Sequence, residues 1–313
     1  MTSMSLNVIA LGGNAILDKV PSDEGQKEVV RKVASDIVSF IQLGEKVVIC
    51  HGNGPQVGNL MIQQKAGDSE QTPMMHLDTN VAMTEGSIGY WIQQAIQNEL
   101  AKKKMNKSVI SVITQVEVAE DDPSFKKPTK PIGPFYNQEE AESKMKNGGG
   151  IYQEDSGRGY RKVIASPKPV SIVEKEALLS LIKAEVITIC VGGGGVPVIK
   201  NKQGNYEGVE AVIDKDLSAK NLAKEIEADR LIILTGVDNV YINYNQPNQK
   251  KLEHLTVQEA KQYIKENQFP PGSMLPKVES AIEFVESGGG EAVITSIENL
   301  KNVTTGFGTR ISY

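Results

Sequence analysis

Two cysteines, three histidines and one tryptophan are all that 313 residues contain of those types, and each scarcity closes off a class of protein. Cys50 and Cys190 both end apolar runs, "KVVIC" and "VITIC", which suits buried, reduced thiols in a cytoplasmic protein rather than a disulfide scaffold. His51, His76 and His254 are scattered, and without metal-ligand spacing they argue against a zinc or iron centre, so no protein metal site is expected. No apolar run approaches the length that spans a bilayer, and the opening "MTSMSLNVIALGGNA" has no basic segment leading into a long apolar one. Neither a membrane partner nor a secretory signal is expected. The net charge is −5 and no lysine- or arginine-rich run is interleaved with aromatics, which sets nucleic acid aside. G-x-x-x-x-G-K-S/T is absent, so this is not a P-loop enzyme, and "GNGPQVG" lacks the G-x-G-x-x-G spacing of a dinucleotide fold.

What the chain does have is a repeating step from short apolar strand to amphipathic helix. "SLNVIAL" leads to a predicted helix over residues 25–43, where Val29, Val30, Val33, Ile37, Phe40 and Ile41 fall at helical spacing. "KVVIC" leads to helices over about 54–66 and 77–101, and "KSVISVIT", "EVITIC", "RLIILT" and "EAVIT" read as further strands. Strands that are apolar throughout and alternate with helices imply a parallel sheet covered on both faces. The rhythm stops between about residues 118 and 170, a stretch rich in proline, glycine and charge. It is too long for a plain connection and predicts an inserted, β-rich flap at the edge of the sheet. "VPVIKNKQGNYEGVEAVID" predicts a hairpin turning at "KQGN".

Four strand-like runs end in glycine-rich turns, "ALGGNA", "CHGNGPQVG", "VGGGGVP" and "LTGVD". At the carboxyl edge of a parallel sheet such turns let backbone N–H groups approach phosphate or carboxylate closely. Two lysines stand where helix electrostatics disfavour them. Lys215 in "AVIDKDLSA" and Lys277 after Pro276 in "GSMLPKVESA" both fall at predicted helix starts, the positive end of the dipole. A shared anion would resolve both oddities. Asp214 and Asp216 could cap the helix and hold the lysines in place.

Taken together, "ALGGNA", "HGNGPQVGNL", "PTKPIGPFY", "EDSGRGYRKVIASPKP", "CVGGGGVPV", "EAVIDKDLSA", "LTGVDNVYINY" and "GSMLPKVESA" resemble the motif set of the carbamate kinases, in the amino-acid kinase superfamily. The match runs in order from residue 8 to the terminal "GTRI". The resemblance implies a three-layer α-β-α sandwich around a largely parallel sheet, with an inserted protruding β-rich subdomain. It implies one domain over residues 1–313, the flap at 118–170, a mainly carbamate and phosphoryl side over 1–210 and a mainly nucleotide side over 211–313. The implied reaction is reversible phosphoryl transfer between ATP, with magnesium, and carbamate, giving ADP and carbamoyl phosphate, and running towards ATP in arginine deiminase fermentation. A cytoplasmic homodimer is also implied.

Roles follow the matched positions. Lys215 and Lys277 correspond to lysines at the transferring phosphoryl group, Asp216 to the aspartate that organises them, and Lys130 to a lysine the flap brings over the substrate. Gly12, Gly13, Asn14, Gly52, Asn53 and Gly54 correspond to the loops holding carbamate and the phosphoryl group. Asp214, Thr235, Val237, Asp238, Tyr241, Gly272, Ser273 and Met274 fall on the nucleotide side. Carbamate is a small planar anion, held by charge and several backbone donors, and it brings its own nucleophilic oxygen. His51 is therefore read as loop support rather than a base. Arg158 and Arg161 are left between contacting phosphate and bracing the flap against the body through carboxylate pairs. Two other readings stay open at this stage: another amino-acid kinase with a larger acceptor, and a nucleotide-binding regulator that has lost catalysis.

Overall fold

The computed structural model describes residues 5–12, 22–155 and 157–313. Its centre is an eight-stranded sheet built from β1 (Leu6–Leu11), β2 (Lys46–His51), β3 (Val109–Ser111), β9 (Ile187–Ile189), β12 (Arg230–Thr235), β15 (His254–Thr256), β16 (Glu291–Ser296) and β17 (Thr309–Ser312), in the order β15-β17-β16-β12-β1-β2-β9-β3. All pairings are parallel except β16 with β17. Side chains alternate across a strand, and here they divide between two cores. Val8 and Ala10 face one packing cluster while Ile9 and Leu11 face the other. The first is closed by α5 (Lys175–Lys183), α6 (Lys215–Glu225), α7 (Val257–Lys265) and α8 (Leu275–Glu286). The second is closed by α1 (Asp23–Gln42) and α3 (Leu77–Lys102). This is the expected sandwich of helices on both faces of a largely parallel sheet.

The local signals behind these helices are visible. Ser22 caps α1 by accepting from the Gly25 amide, and α1 buries Val30, Val33, Ala34, Ile37 and Ile41 on one stripe. Capping boxes open α4 (Gln138–Lys146) at Asn137 and Glu140 and α7 at Thr256 and Glu259. α2 (Gly54–Ala66) starts with Pro55 in its first turn and has no side-chain cap.

A second, four-stranded sheet runs β11-β10-β4-β8, from β4 (Gln115–Val118), β8 (Pro169–Ile172), β10 (Val196–Lys200) and β11 (Tyr206–Gly208). β10 and β11 form the hairpin predicted around "KQGN". The chain leaves for the flap after β4 and returns at β8, and these two strands pair with each other in this second sheet instead of at the edge of the first. The flap carries its own antiparallel sheet, β5-β7-β6, from β5 (Lys130–Tyr136), β6 (Ile151–Glu154) and β7 (Tyr160–Ile164), together with α4. β13 (Val240–Ile242) and β14 (Lys250–Leu252) make a separate small hairpin. The flap is seated by backbone on backbone: a Cβ on Gly58 of α2 would lie 2.0 Å from the Cα of Gly133 in β5, whose φ is +72°.

Candidate active site

Parallel register brings the carboxyl ends of the central strands to one edge. Leu11 pairs with His51, and the Gly52 amide donates to the Leu11 carbonyl at 3.0 Å, so the ends of β1 and β2 lie side by side. A cavity of about 610 Å³ opens along this edge. Three helix N-termini reach it: α2 with Gly54 and Pro55, α6 with Asp214, Lys215 and Asp216, and α8 with Pro276 and Lys277. At α2, which has no side-chain cap, the first-turn amides are open to an anion, whereas at α8 the Leu275 and Lys277 amides already donate to the Pro270 and Met274 carbonyls, each at 3.1 Å.

Asp216 is the hub of the charges. Its Oδ1 accepts from the Lys215 ammonium and its Oδ2 from that of Lys277 at 2.8 Å. The carboxylate is 4% exposed. Burial alone would raise its pKa, but the charges of Lys215 and Lys277 outweigh burial and hold the carboxyl well below the usual carboxylate range. Lys215 is lowered by burial, partly offset by Asp216, and Lys277 beside it pushes the same way as burial. Two lysines pinned on one carboxylate present their remaining N–H donors to the cavity. That resolves their unfavourable positions at helix starts: Asp216 in the first turn of α6 supplies the negative charge locally.

Asp214 caps α6 as the sequence predicts, its Oδ1 accepting from the amides of Asp216 at 2.9 Å and Leu217 at 3.4 Å. Its Oδ2 accepts from the Lys130 ammonium, which ties the first residue of β5 to the head of α6. Burial pushes the Asp214 carboxyl up, Lys130 pulls it down, and the net shift is downward.

Of the residues singled out in the sequence, Gly12, Gly52, Asn53, Gly54, Lys130, Asp214, Lys215, Asp216, Thr235, Gly272, Ser273 and Lys277 line this one cavity. Gly13 and Asn14 lie outside the described residues. Val237, Asp238, Tyr241 and Met274 do not line it: the Asp238 carbonyl accepts from Thr295, Tyr241 lies against Tyr244, and Met274 packs on the α6–α8 core. Several residues not chosen from the sequence do line it, among them Gly193, Gly236, Asp155, Arg158, Arg161 and Glu298. Arg158 and Arg161 both reach Asp155 at 3.3 Å and flank the ring of Phe135, and Arg161 also donates to the Gly133 carbonyl at 2.9 Å. All of these partners belong to the flap, so the two arginines tie the flap together internally instead of bracing it against the body. The charged trio inside a glycine-bounded "DSGRGYR" was the available signal. Among the described residues, no group of three or more His, Cys, Asp or Glu gathers as metal ligands would.

Comparison with known proteins agrees with this geometry. The sequence pattern of the amino acid kinase family matches residues 5–296. "Carbamate kinase 2" of Enterococcus faecalis is 62% identical over 310 residues, covering 99% of either chain. The chain belongs to the carbamate kinases of the amino acid kinase family. Among solved structures, the carbamate kinase from Giardia lamblia bound to AMP-PNP superposes with a TM-score of 0.90 at 40% identity, covering 100% of this chain and 99% of that one. The same enzyme bound to citric acid superposes with a TM-score of 0.93, also at 40% identity and over the same shares of the two chains. As a carbamate kinase the chain is a phosphotransferase. Among the described residues, no helix is long and apolar enough to cross a membrane.

Proposed function

We propose that the cavity transfers a phosphoryl group reversibly between carbamoyl phosphate and ADP, and that Lys215, Lys277 and Lys130 form a clamp around the group in flight. The observation that carries this reading is the Asp216 hub, which fixes two ammonium groups at the mouths of α6 and α8 on the cavity that the start of α2 also reaches. Phosphoryl transfer asks the protein for positioning and for positive charge around the equatorial oxygens, with little covalent chemistry. Pre-fixed lysines supply that charge without reorganising during the reaction. Lys130 lies on the flap and is paired with Asp214, so an incoming phosphoryl group competes for it and draws β5 over the site.

The small substrate belongs with the turns of Gly12, Gly13 and Asn14 and of Gly52, Asn53 and Gly54, whose amides suit a planar anion. The nucleotide belongs with Thr235, Gly272 and Ser273, with Val237, Asp238, Tyr241 and Met274 as the adjoining adenine and ribose side. Its phosphates run past Asp214 towards the clamp. Magnesium enters with the nucleotide as part of the substrate. The carboxylates of Asp214 and Asp216 are already paired with lysines, which suits an ion carried mainly by phosphates and water. The cellular direction is towards ATP, as in arginine deiminase fermentation, in a cytoplasmic homodimer.

The test is ATP formation by the purified protein from ADP, magnesium and carbamoyl phosphate, with Lys277→Ala beside it. Rapid ATP formation that the substitution abolishes is the expected result. Equal rates in both proteins would assign the activity to a contaminant or remove Lys277 from the clamp.

A further inference from the structure

The glycine-rich turn that follows β9 is wedged between two parts of the cavity wall. Gly193 lines the cavity, and a Cβ on it would lie 2.2 Å from the Asn53 Nδ2, so one side of the turn abuts the loop proposed for the small substrate. A Cβ on Gly194 would lie 2.3 Å from the carbonyl oxygen of Ile213, the residue before the Asp214 cap, so the other side abuts the head of α6. Bare backbone fills the gap, and neither neighbour leaves room for a methyl group. Val191, which leads into the turn, is held at φ +53° and ψ +38°. A β-branched residue takes that left-handed conformation only where its surroundings impose it.

Those surroundings are a set of named hydrogen bonds. Thr114 clasps both ends of the turn, its hydroxyl accepting from the Val191 amide at 3.1 Å and its carbonyl from the Val196 amide at 2.8 Å. Glu85, 1% exposed in the middle of α3, holds turn and clasp together. Its Oε1 accepts from the Gly192 amide at 2.7 Å and its Oε2 from the Thr114 amide at 3.2 Å. From the other side Ser218, fully buried in α6, donates its hydroxyl to the Gly194 carbonyl at 2.7 Å. Asn53 is fixed from α3 as well: it donates at 2.9 Å to Thr84, whose own hydroxyl donates to the Val81 carbonyl at 2.8 Å.

We infer that Glu85 and Ser218 are positioning residues that hold the Gly192–Gly195 turn from α3 and from α6, and so make it the spacer that sets the distance between the small-substrate loop and the lysine-bearing head of α6. Neither side chain lines the cavity, and each acts through the turn. The distance matters because transfer between two oxygens in line depends on their separation, and a misplacement of about 1 Å can cost about 10²-fold in rate. Glycine suits a spacer, since the thickness of bare backbone cannot change by side-chain rotation.

The inference rests on the proposed function, and its test separates the two. Ser218→Ala removes one buried hydroxyl, and Glu85→Gln replaces one of two accepting oxygens by a nitrogen that only donates. In the ATP-forming assay each is expected to lower kcat about tenfold or more while the KM for ADP stays within about twofold, a split that lost stability alone would not produce. Because both act through one turn, the double variant should lose much less than the product of the two single losses. Amide hydrogen exchange of the full chain reads the turn without any activity, and the stretch over residues 190–196 should exchange faster in each variant than in the parent. An active parent with unchanged kcat in both variants, or single losses that simply multiply, overturns the spacer and leaves the function standing. Unaltered exchange in both variants overturns their hold on the turn. A parent that forms no ATP overturns the function and the spacing role with it. Should Glu85→Gln fail to fold, Ser218→Ala decides alone through kcat and exchange.

Discussion

Lys215 and Lys277 sit where a helix dipole repels them, and the reason is a single carboxylate. Because Asp216 holds both ammonium groups, removing either lysine would delete charge from the proposed clamp while Thr235, Gly272 and Ser273, proposed for the nucleotide, are left in place. Lys215→Ala and Lys277→Ala are each expected to lower kcat by at least about 10²-fold, the scale of a lost transition-state donor, with a much smaller change in ADP binding by calorimetry. Lys130→Ala should fall mainly on carbamoyl phosphate use, and unchanged steady-state constants would return Lys130 to an ordinary surface pair with Asp214. The oddity of these lysines was legible in the sequence because dipole rules apply to any helix start. Glu85 was not, since a glutamate inside a helix reads as solvent-facing until tertiary packing buries it. The Arg158 and Arg161 pair was visible as composition, but its stacking on Phe135 depends on strand register within the flap.

Elements with strong local signals came out of the sequence nearly whole. The helices predicted over 54–66 and 77–101 correspond to α2 and α3, Gly54–Ala66 and Leu77–Lys102, because periodicity and Pro55 are local. The four-stranded sheet was only half legible. The β10–β11 hairpin announces its own turn, whereas β4 and β8 are four residues each and pair across the whole flap. Helix α4 hid in a stretch whose glycine, proline and charge suggested none. The seat of the flap gives a test at this scale. Gly58→Ala would drive a methyl into the Gly133 backbone, where no side chain can swing aside. It should cost about 1–3 kcal/mol in stability and raise the KM for carbamoyl phosphate by displacing Lys130, measured by denaturant unfolding and steady-state kinetics. A stable variant with unchanged kinetics would mean that the flap moves without consequence for Lys130.

For the molecule as a whole, the buried acid and base shape how stability depends on pH. Glu85 ordinarily ionises near 4.5 but near 8 when folded, so its contribution is fully present at low pH and is lost as pH rises across that interval. His51 ordinarily titrates at 6.5 but at about 4 when folded, so its contribution is complete above 6.5 and is lost as pH falls. The two slopes oppose each other at mildly acidic pH and leave Glu85 alone between about 6.5 and 8. The melting temperature should therefore decline over that upper window and flatten there in Glu85→Gln; an identical decline in the variant would place the responsible group elsewhere. The cavity has a last consequence that appears only at a distance. Lys130, Lys215, Lys277, Arg158 and Arg161 outnumber Asp155, Asp214, Asp216 and Glu298 by a single charge in one pit of a body whose net charge is −5, so an approaching anion is repelled from afar and attracted only near the rim. Moderate salt, with a screening length of about 8–10 Å, should quench the far repulsion before the near attraction. Capture of carbamoyl phosphate would then be fastest at an intermediate ionic strength, and a capture rate that only falls as salt is added would show that the pit outreaches the body around it.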